Sequence, residues 1–348
     1  MKIGLIGLRG AGKTTIFNML TGLQAQVGGY SGSDKGQIHL GVIKVPDARI
    51  DRLAQIYKPR KTIYAEIRFT DFPASQAGEK PKADSALLAQ MREAEAIALV
   101  LRNFGTDADP LKELNDLLAE MILADLAVVE NRLARLKKEK AKGKEKESEL
   151  LQHCNQALEN EQSFRTLVFT PDEETLLSGF GFLSRKPVLA LFNDPDEQAG
   201  QDIPPAYAQE LKQLGIEGFS LAGKVEMEIA QLDEADREGF LREIGIREPA
   251  RDHFIRASYD LLDLISFFTT GEDEVRAWTI KRGTPARKAA GKIHTDMERG
   301  FIRAEVVAYE EFAKLGSEAK CREAGKLRLE GKEYLVQDGD IIHFRFNV

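Results

Sequence analysis

One octapeptide constrains this chain more than any other stretch: Gly7-Leu8-Arg9-Gly10-Ala11-Gly12-Lys13-Thr14. It satisfies G-x-x-x-x-G-K-[ST]. The apolar run Lys2–Gly7 before it reads as a buried strand. The segment Thr14–Thr21 after it reads as a helix, with Ile16, Phe17 and Leu20 on one face. A strand, a glycine turn and a helix in that order make a phosphate cradle. Glycines let backbone N–H groups converge without Cβ clashes, and the helix N-terminus adds its positive dipole end. The spacing assigns phosphate contact to Gly7, Leu8, Arg9, Gly10, Ala11, Gly12, Lys13, Thr14 and Thr15. Lys13 would reach the β/γ-phosphates and Thr14 would hold Mg²⁺.

Further strands follow. Ala65–Thr70 alternates apolar and polar residues and ends at Asp71. Ala96–Leu101 and Pro187–Phe192 are continuous apolar runs, the second ending at Asn193. Strands alternating with helices predict an α/β layer with a mostly parallel sheet. A carboxylate closing the strand beside a phosphate loop is where such sites hold Mg²⁺, so Asp71 is the second metal candidate; before Phe72-Pro73 it also reads as an ordinary turn residue. Asn193-Asp194-Pro195-Asp196 stands where GTPases carry Asn-Lys-x-Asp to read the base. Asn193 and Asp196 keep the spacing and Asp194 replaces the lysine, although the same residues make a good turn.

Between the last two apolar runs the period changes. Ile122, Leu126, Val129, Leu133 and Leu136 step by 4, 3, 4 and 3, the pattern of a coiled-coil seam. The basic stretch Lys137–Lys146 interrupts it, and Leu150, Leu151, Cys154, Ala157 and Leu158 resume helical spacing. The pattern predicts an inserted antiparallel helical hairpin. Its positive tip reads either as a solvated end or as a contact for nucleic-acid phosphate. The last 80 or so residues change again. Val275–Ile280 and Glu305–Tyr309 read as strands, and Tyr334–Val336 with Ile341–Phe346 reads as a hairpin around Asp338-Gly339.

Composition sets outer bounds. The chain has 348 residues, enough for two or three domains, and a net charge of −7. That balance argues against wholesale nucleic-acid coating, and no DNA specificity is expected. No apolar run approaches a membrane span, no signal peptide is evident, and Cys154 and Cys321 fit no metal or disulfide framework. A cytoplasmic protein without membrane partners is expected.

The residues resemble the YchF or Obg-like ATPase family, a branch of the Obg-related translation-factor GTPases. The likeness runs along nearly the whole chain. It includes Gly4–Gly7, Phe17–Thr21, Val45–Leu53, Met91–Ile97 and Glu120–Leu126. Towards the end it includes Val275–Ile280, Lys288–Asp296, Arg299–Glu305 and Asp338–Val348. The resemblance implies three parts. A Ras-like P-loop NTPase domain would cover 1–110 and 165–262. A helical coiled-coil hairpin would cover 111–164, and a C-terminal TGS-like β-grasp domain 263–348. It implies ATP hydrolysis, often in preference to GTP, and association with ribosomes or another RNA-containing partner through the hairpin tip and the TGS domain. The family's base-reading motif is Asn-x-x-Glu, so the absent lysine fits, with Asp196 one methylene shorter. Ala222-Gly223-Lys224 stands where the family has Ser-Ala-Lys, which adds Ala222 and Gly223 to the nucleotide contacts.

Three departures touch the mechanism. Lys35 stands where the first switch loop carries a threonine, with Ser31 and Ser33 nearby. Ala74 replaces the glycine of Asp-x-x-Gly after Asp71, and Pro73 stiffens that turn. The family's histidine near the second switch has no counterpart: the five histidines are His39, His153, His253, His294 and His343. The loop Asn103–Pro110 is also shorter. Lys35 and Gln76 are the substitutes the sequence offers. The cradle is thus intact beside altered switches. The expected activity is a slow Mg²⁺-dependent ATPase that also admits GTP. The alternative is a nucleotide-binding scaffold with impaired hydrolysis.

Overall fold

The computed structural model describes residues 1–22, 39–73, 85–139 and 143–347. Its strands, in chain order, are β1 (Lys2–Ile6), β2 (His39–Lys44), β3 (Lys61–Ile63), β4 (Glu66–Asp71), β5 (Ala96–Arg102), β6 (Val188–Asn193), β7 (Glu217–Leu221), β8 (Leu264–Thr269), β9 (Glu274–Lys281), β10 (Phe301–Ala308), β11 (Arg328–Glu330) and β12 (Asp340–Phe346). The chain divides into two compact units. One comprises Lys2–Gly41 and Arg68–Phe254. The other comprises Met1, Val42–Ile67 and Ile255–Val348.

The first unit is built on a sheet of order β2-β4-β1-β5-β6-β7. Pairing is parallel from β4 through β7, with Leu5 opposite Asp71, Ile6 opposite Leu99 and Asn193 opposite Leu221. The two continuous apolar runs became β5 and β6. Leu99, Leu101, Ala190 and Phe192 are buried in them, as central parallel strands require. Parallel pairing puts the carboxyl ends of β1, β4, β6 and β7 on one edge. Those ends carry Gly7, Asp71, Asn193 and Ala222.

The predicted hairpin is present as the helices Pro110–Glu139 and Glu145–Glu159. Its seam is the expected one: Ile122, Val129 and Leu136 are buried against Leu150, Leu151, Cys154 and Leu158, with Leu126 and Leu133 packed alongside. The first turns of the long helix serve a different core. Leu114, Leu117 and Met121 pack on Leu99, Leu101 and Ala190 of the sheet. One continuous helix therefore begins on the sheet and ends as the hairpin.

The second unit holds a mixed sheet of order β11-β10-β12-β8-β9-β3. The antiparallel pairs β8–β9 and β10–β12 are joined by a parallel contact between β12 and β8. The helix Ala286–Ile293 lays Ala286, Ala289 and Ala290 on Phe267, Val306 and Phe344. This is the expected α+β module. It also contains a segment that the sequence reading placed in the nucleotide domain. β3 supplies a parallel edge strand to β9. Arg49 bonds both Asp47 and Asp338, and Tyr57 donates to Glu318.

Two local expectations changed. The strand expected at Glu305–Tyr309 runs from Phe301 to Ala308, and Tyr309 opens a helix. Tyr334–Val336 is not a strand, apart from a single bridge between Leu335 and Pro285. The Asp340 carboxylate accepts from the Gln337 N–H and the Tyr334 hydroxyl, and Gly339 N–H donates to Ser266. These bonds satisfy the turn locally, so no hairpin ladder is needed.

Candidate functional site

The phosphate loop has the backbone its glycines predict. Gly10 and Gly12 adopt φ of 86° and 87°, which side-chain-bearing residues rarely tolerate. A Cβ at Gly7 would sit 2.5 Å from the Val100 carbonyl oxygen, so this glycine allows the loop to leave β1 tightly against β5. The helix Lys13–Thr21 follows at once and ends on Gly22, whose N–H caps Asn18. Leu8 packs at the edge of the sheet core, Arg9 and Gly10 are exposed, and Thr14 and Thr15 are half-buried in the first helical turn.

Lys13 and Asp71 meet. Lys13 Nζ lies 3.4 Å from Asp71 Oδ1, with the two residues 8% and 4% exposed. The cation comes from the start of the helix and the carboxylate from the end of the adjacent strand. A third group joins them from β2, where His39 Nδ1 lies 3.5 Å from Asp71 Oδ2. Among the described residues, Asp71 Oδ1 and His39 Nδ1 are buried without a hydrogen-bond partner. No sequence motif singles out His39. The signal available was its place at the head of a strand. Lys35 and Gln76 lie outside the described residues, as does Ala74.

Asn193 sits differently from a simple base reader. Its Nδ2 donates to the Ala11 carbonyl at 2.9 Å, and its Oδ1 accepts from Gly223 N–H at 3.0 Å. The side chain thus ties the phosphate loop to the segment after β7. The fit is close, since a Cβ at Gly12 would collide with Asn193 Nδ2. Asp194, in the lysine's place, turns into the scaffold. It accepts from Asn103 Nδ2 at 2.6 Å, and its N–H donates to Leu221 at 2.8 Å. Burial pushes its carboxyl up from the ordinary value, while the bond from Asn103 holds it back. Asp196 stays exposed and pairs with Lys224 Nζ at 2.8 Å. Ala222 is buried, and Gly223 opens the helix Gly223–Ala230.

A second buried cluster joins two stretches that carried the family likeness. Asp125 is fully buried and accepts from Arg92 at 2.7 Å, Leu183 N–H at 3.0 Å and Ser184 N–H at 2.7 Å. Arg92 also donates to the carbonyls of Ala124 and Gly181. The end of the helix Ser85–Glu93 is thereby fixed to the long helix of the hairpin.

Comparison with known proteins agrees with this geometry. Residues 2–132 match a family model described as "50S ribosome-binding GTPase". Residues 264–347 match YchF-GTPase_C, described as a "Protein of unknown function (DUF933)". The "Ribosome-binding ATPase YchF" of Bacillus subtilis is 38% identical over 363 residues, covering 99% of each chain. The protein of the same name from Haemophilus influenzae is 38% identical over 365 residues, covering 100% of this chain and 99% of the relative. The chain belongs to the YchF family. A solved YchF GTPase from Schizosaccharomyces pombe superposes with a TM-score of 0.82 at 28% identity, covering 99% of this chain and 97% of that one. The α/β nucleotide fold with a C-terminal YchF module is therefore a property of this YchF-family chain. No described helix is long and apolar enough to cross a membrane.

Proposed function

We propose that this YchF-family chain is a cytoplasmic, Mg²⁺-dependent ATPase that also admits GTP and works as a slow regulatory switch on the ribosome. The observation carrying the reading is the buried Lys13–Asp71 pair at the mouth of a glycine loop with left-handed Gly10 and Gly12. A buried ammonium and carboxylate gain little stability together, because desolvation offsets their attraction. Such a pair is better understood as a site waiting for charge. Gly7 through Thr15 would cradle the phosphates, with Lys13 swinging from Asp71 to the β/γ oxygens. Thr14 and Asp71 would hold Mg²⁺, and Asp71 Oδ1, buried beside Lys13 without a hydrogen bond, suits such a ligand. When bound, the ion neutralises charge on the transferring phosphoryl group. Asn193 would keep the loop in register with Ala222 and Gly223 beside the base, and Asp196 would face the base edge. Lys35 and Gln76 remain our candidates for contacting the γ-phosphate.

The YchF relatives are named ribosome-binding ATPases, and this supports the partner. We assign the hairpin 111–164 and the module 263–348 to partner contact, with 1–110 and 165–262 as the nucleotide domain, less 42–67 and 255–262, which fall in the second unit. Lys137, Lys138, Lys144 and Lys146 would meet RNA phosphate at the tip. Single-turnover hydrolysis of Mg·ATP, with Lys13→Ala as control, tests the enzyme. Product above the control supports it. No product above the control leaves a nucleotide-binding adaptor.

A further inference from the structure

The histidine that meets Asp71 belongs to neither the phosphate loop nor the metal ligands. It comes from β2, on the far side of the first switch loop in sequence, and reaches the carboxylate opposite Lys13. Its ring lies beside Phe17, with centroids 6.1 Å apart, so an apolar wall of the helix Lys13–Thr21 limits its orientation. The contact is made by Nδ1, which is buried although the side chain is 41% exposed. Among the described residues, the ion-pair partners of Asp71 are Lys13 and His39.

This division matters once phosphate arrives. On the nucleotide reading above, on which this role rests, Lys13 leaves Asp71 for the phosphate oxygens. A carboxylate only 4% exposed then loses its cation. A buried charge needs a replacement partner, and a metal-binding carboxylate needs one oxygen fixed so that the other points correctly. We infer that His39 is a positioning residue for the metal site: once Lys13 leaves, its Nδ1–H closes the present 3.5 Å gap and holds Asp71 Oδ2 while Oδ1 turns to Mg²⁺. His39 touches neither nucleotide nor metal in this role. It fixes the carboxylate that does.

The role depends on the δ position of one nitrogen, which gives a discriminating test. Asparagine places Nδ2 near the position of the histidine Nδ1. Glutamine places its amide one bond further out, and leucine keeps the bulk against Phe17 with no donor. The full-length chain and its His39→Asn, His39→Gln and His39→Leu variants are titrated with ATP twice, once in EDTA and once in millimolar Mg²⁺. The wild type should bind more tightly with Mg²⁺. His39→Leu and His39→Gln should lose about tenfold of that enhancement, the scale on which metal sites respond to loss of an orienting partner. Their affinity in EDTA should stay that of the wild type, which shows an intact fold. His39→Asn should restore the enhancement. An undiminished enhancement in His39→Leu overturns the inference, and so does an equal loss in His39→Asn and His39→Leu. A wild type whose affinity ignores Mg²⁺ overturns the metal reading itself, and this role with it.

Discussion

Replacing Asn193 by alanine should uncouple the phosphate loop from the base side of the site. The side chain makes two buried bonds, to the Ala11 carbonyl and from Gly223 N–H, at 2.9 and 3.0 Å. Both partners are backbone groups of buried residues, so truncation orphans a carbonyl and an N–H. Each orphan costs about 1–3 kcal/mol, and together about 2–6 kcal/mol. Part of that is lost stability. The rest falls on binding, because the loop must be re-ordered around the phosphates. A share of about 1.4 kcal/mol weakens nucleotide affinity about tenfold. Urea unfolding of the nucleotide-free protein measures the first part, and titration with Mg·ATP measures the second. Asn193→Asp sharpens the test, since it keeps an acceptor for Gly223 but turns the donor facing Ala11 into a repelling oxygen. It should bind nucleotide no better than Asn193→Ala despite its matching shape. Wild-type stability and affinity in Asn193→Ala would refute the clamp, and so would a neutral Asn193→Asp.

Three further outcomes follow from particular residues. Asp125→Ala leaves the half-buried Arg92 without its carboxylate, orphans the buried N–H groups of Leu183 and Ser184, and should cost about 3–5 kcal/mol by urea unfolding; a loss below about 1 kcal/mol would show that the pair is not structural. Glu226 bonds Ala250 N–H, and its carboxyl is pushed up to about 7, chiefly by burial and also by Asp252. Its folded state holds a proton that the unfolded chain releases near 4.5, so stability should fall as pH rises from about 4.5 to 7 and then level off. Glu226→Gln should remove that slope, adding roughly 3 kcal/mol at pH 8; an unchanged slope refutes the assignment. Changing Lys137, Lys138, Lys144 and Lys146 to glutamine should weaken ribosome co-sedimentation and lower the log–log salt slope by up to about 3. An unchanged slope would make the tip a solvated end.

Much of the fold was legible because its signals are local. The glycine loop needs only a strand before it and a helix after it, and β5 and β6 announce themselves as unbroken apolar runs. The coiled-coil seam is a spacing, and Ile122, Val129 and Leu136 sit where the spacing put them. What the sequence does not carry depends on distant partners. Asn193 bonds two backbone atoms, which carry no side-chain signature. His39 and Asp71 meet because β2 and β4 neighbour each other, a fact of topology rather than of either segment. The stretch 42–67 reads as part of a nucleotide domain, yet β3 completes the second sheet and Arg49 reaches Asp338. Tyr334–Val336 has strand residues, but the Asp340 carboxylate offers its turn a better arrangement. The missing lysine at Asp194 becomes intelligible only with Asn103 in view.

Lys13 and Asp71 are held to form a nucleotide site and not a structural ion pair. Calorimetric titration of the full-length chain with Mg·ATP and Mg·GTP, beside Lys13→Ala, tests it most directly. The wild type should bind saturably below millimolar concentration, ATP ahead of GTP, and Lys13→Ala at least about tenfold more weakly, the loss of one charged contact to phosphate. Binding of neither nucleotide at millimolar concentration, or equal binding by Lys13→Ala, would contradict it.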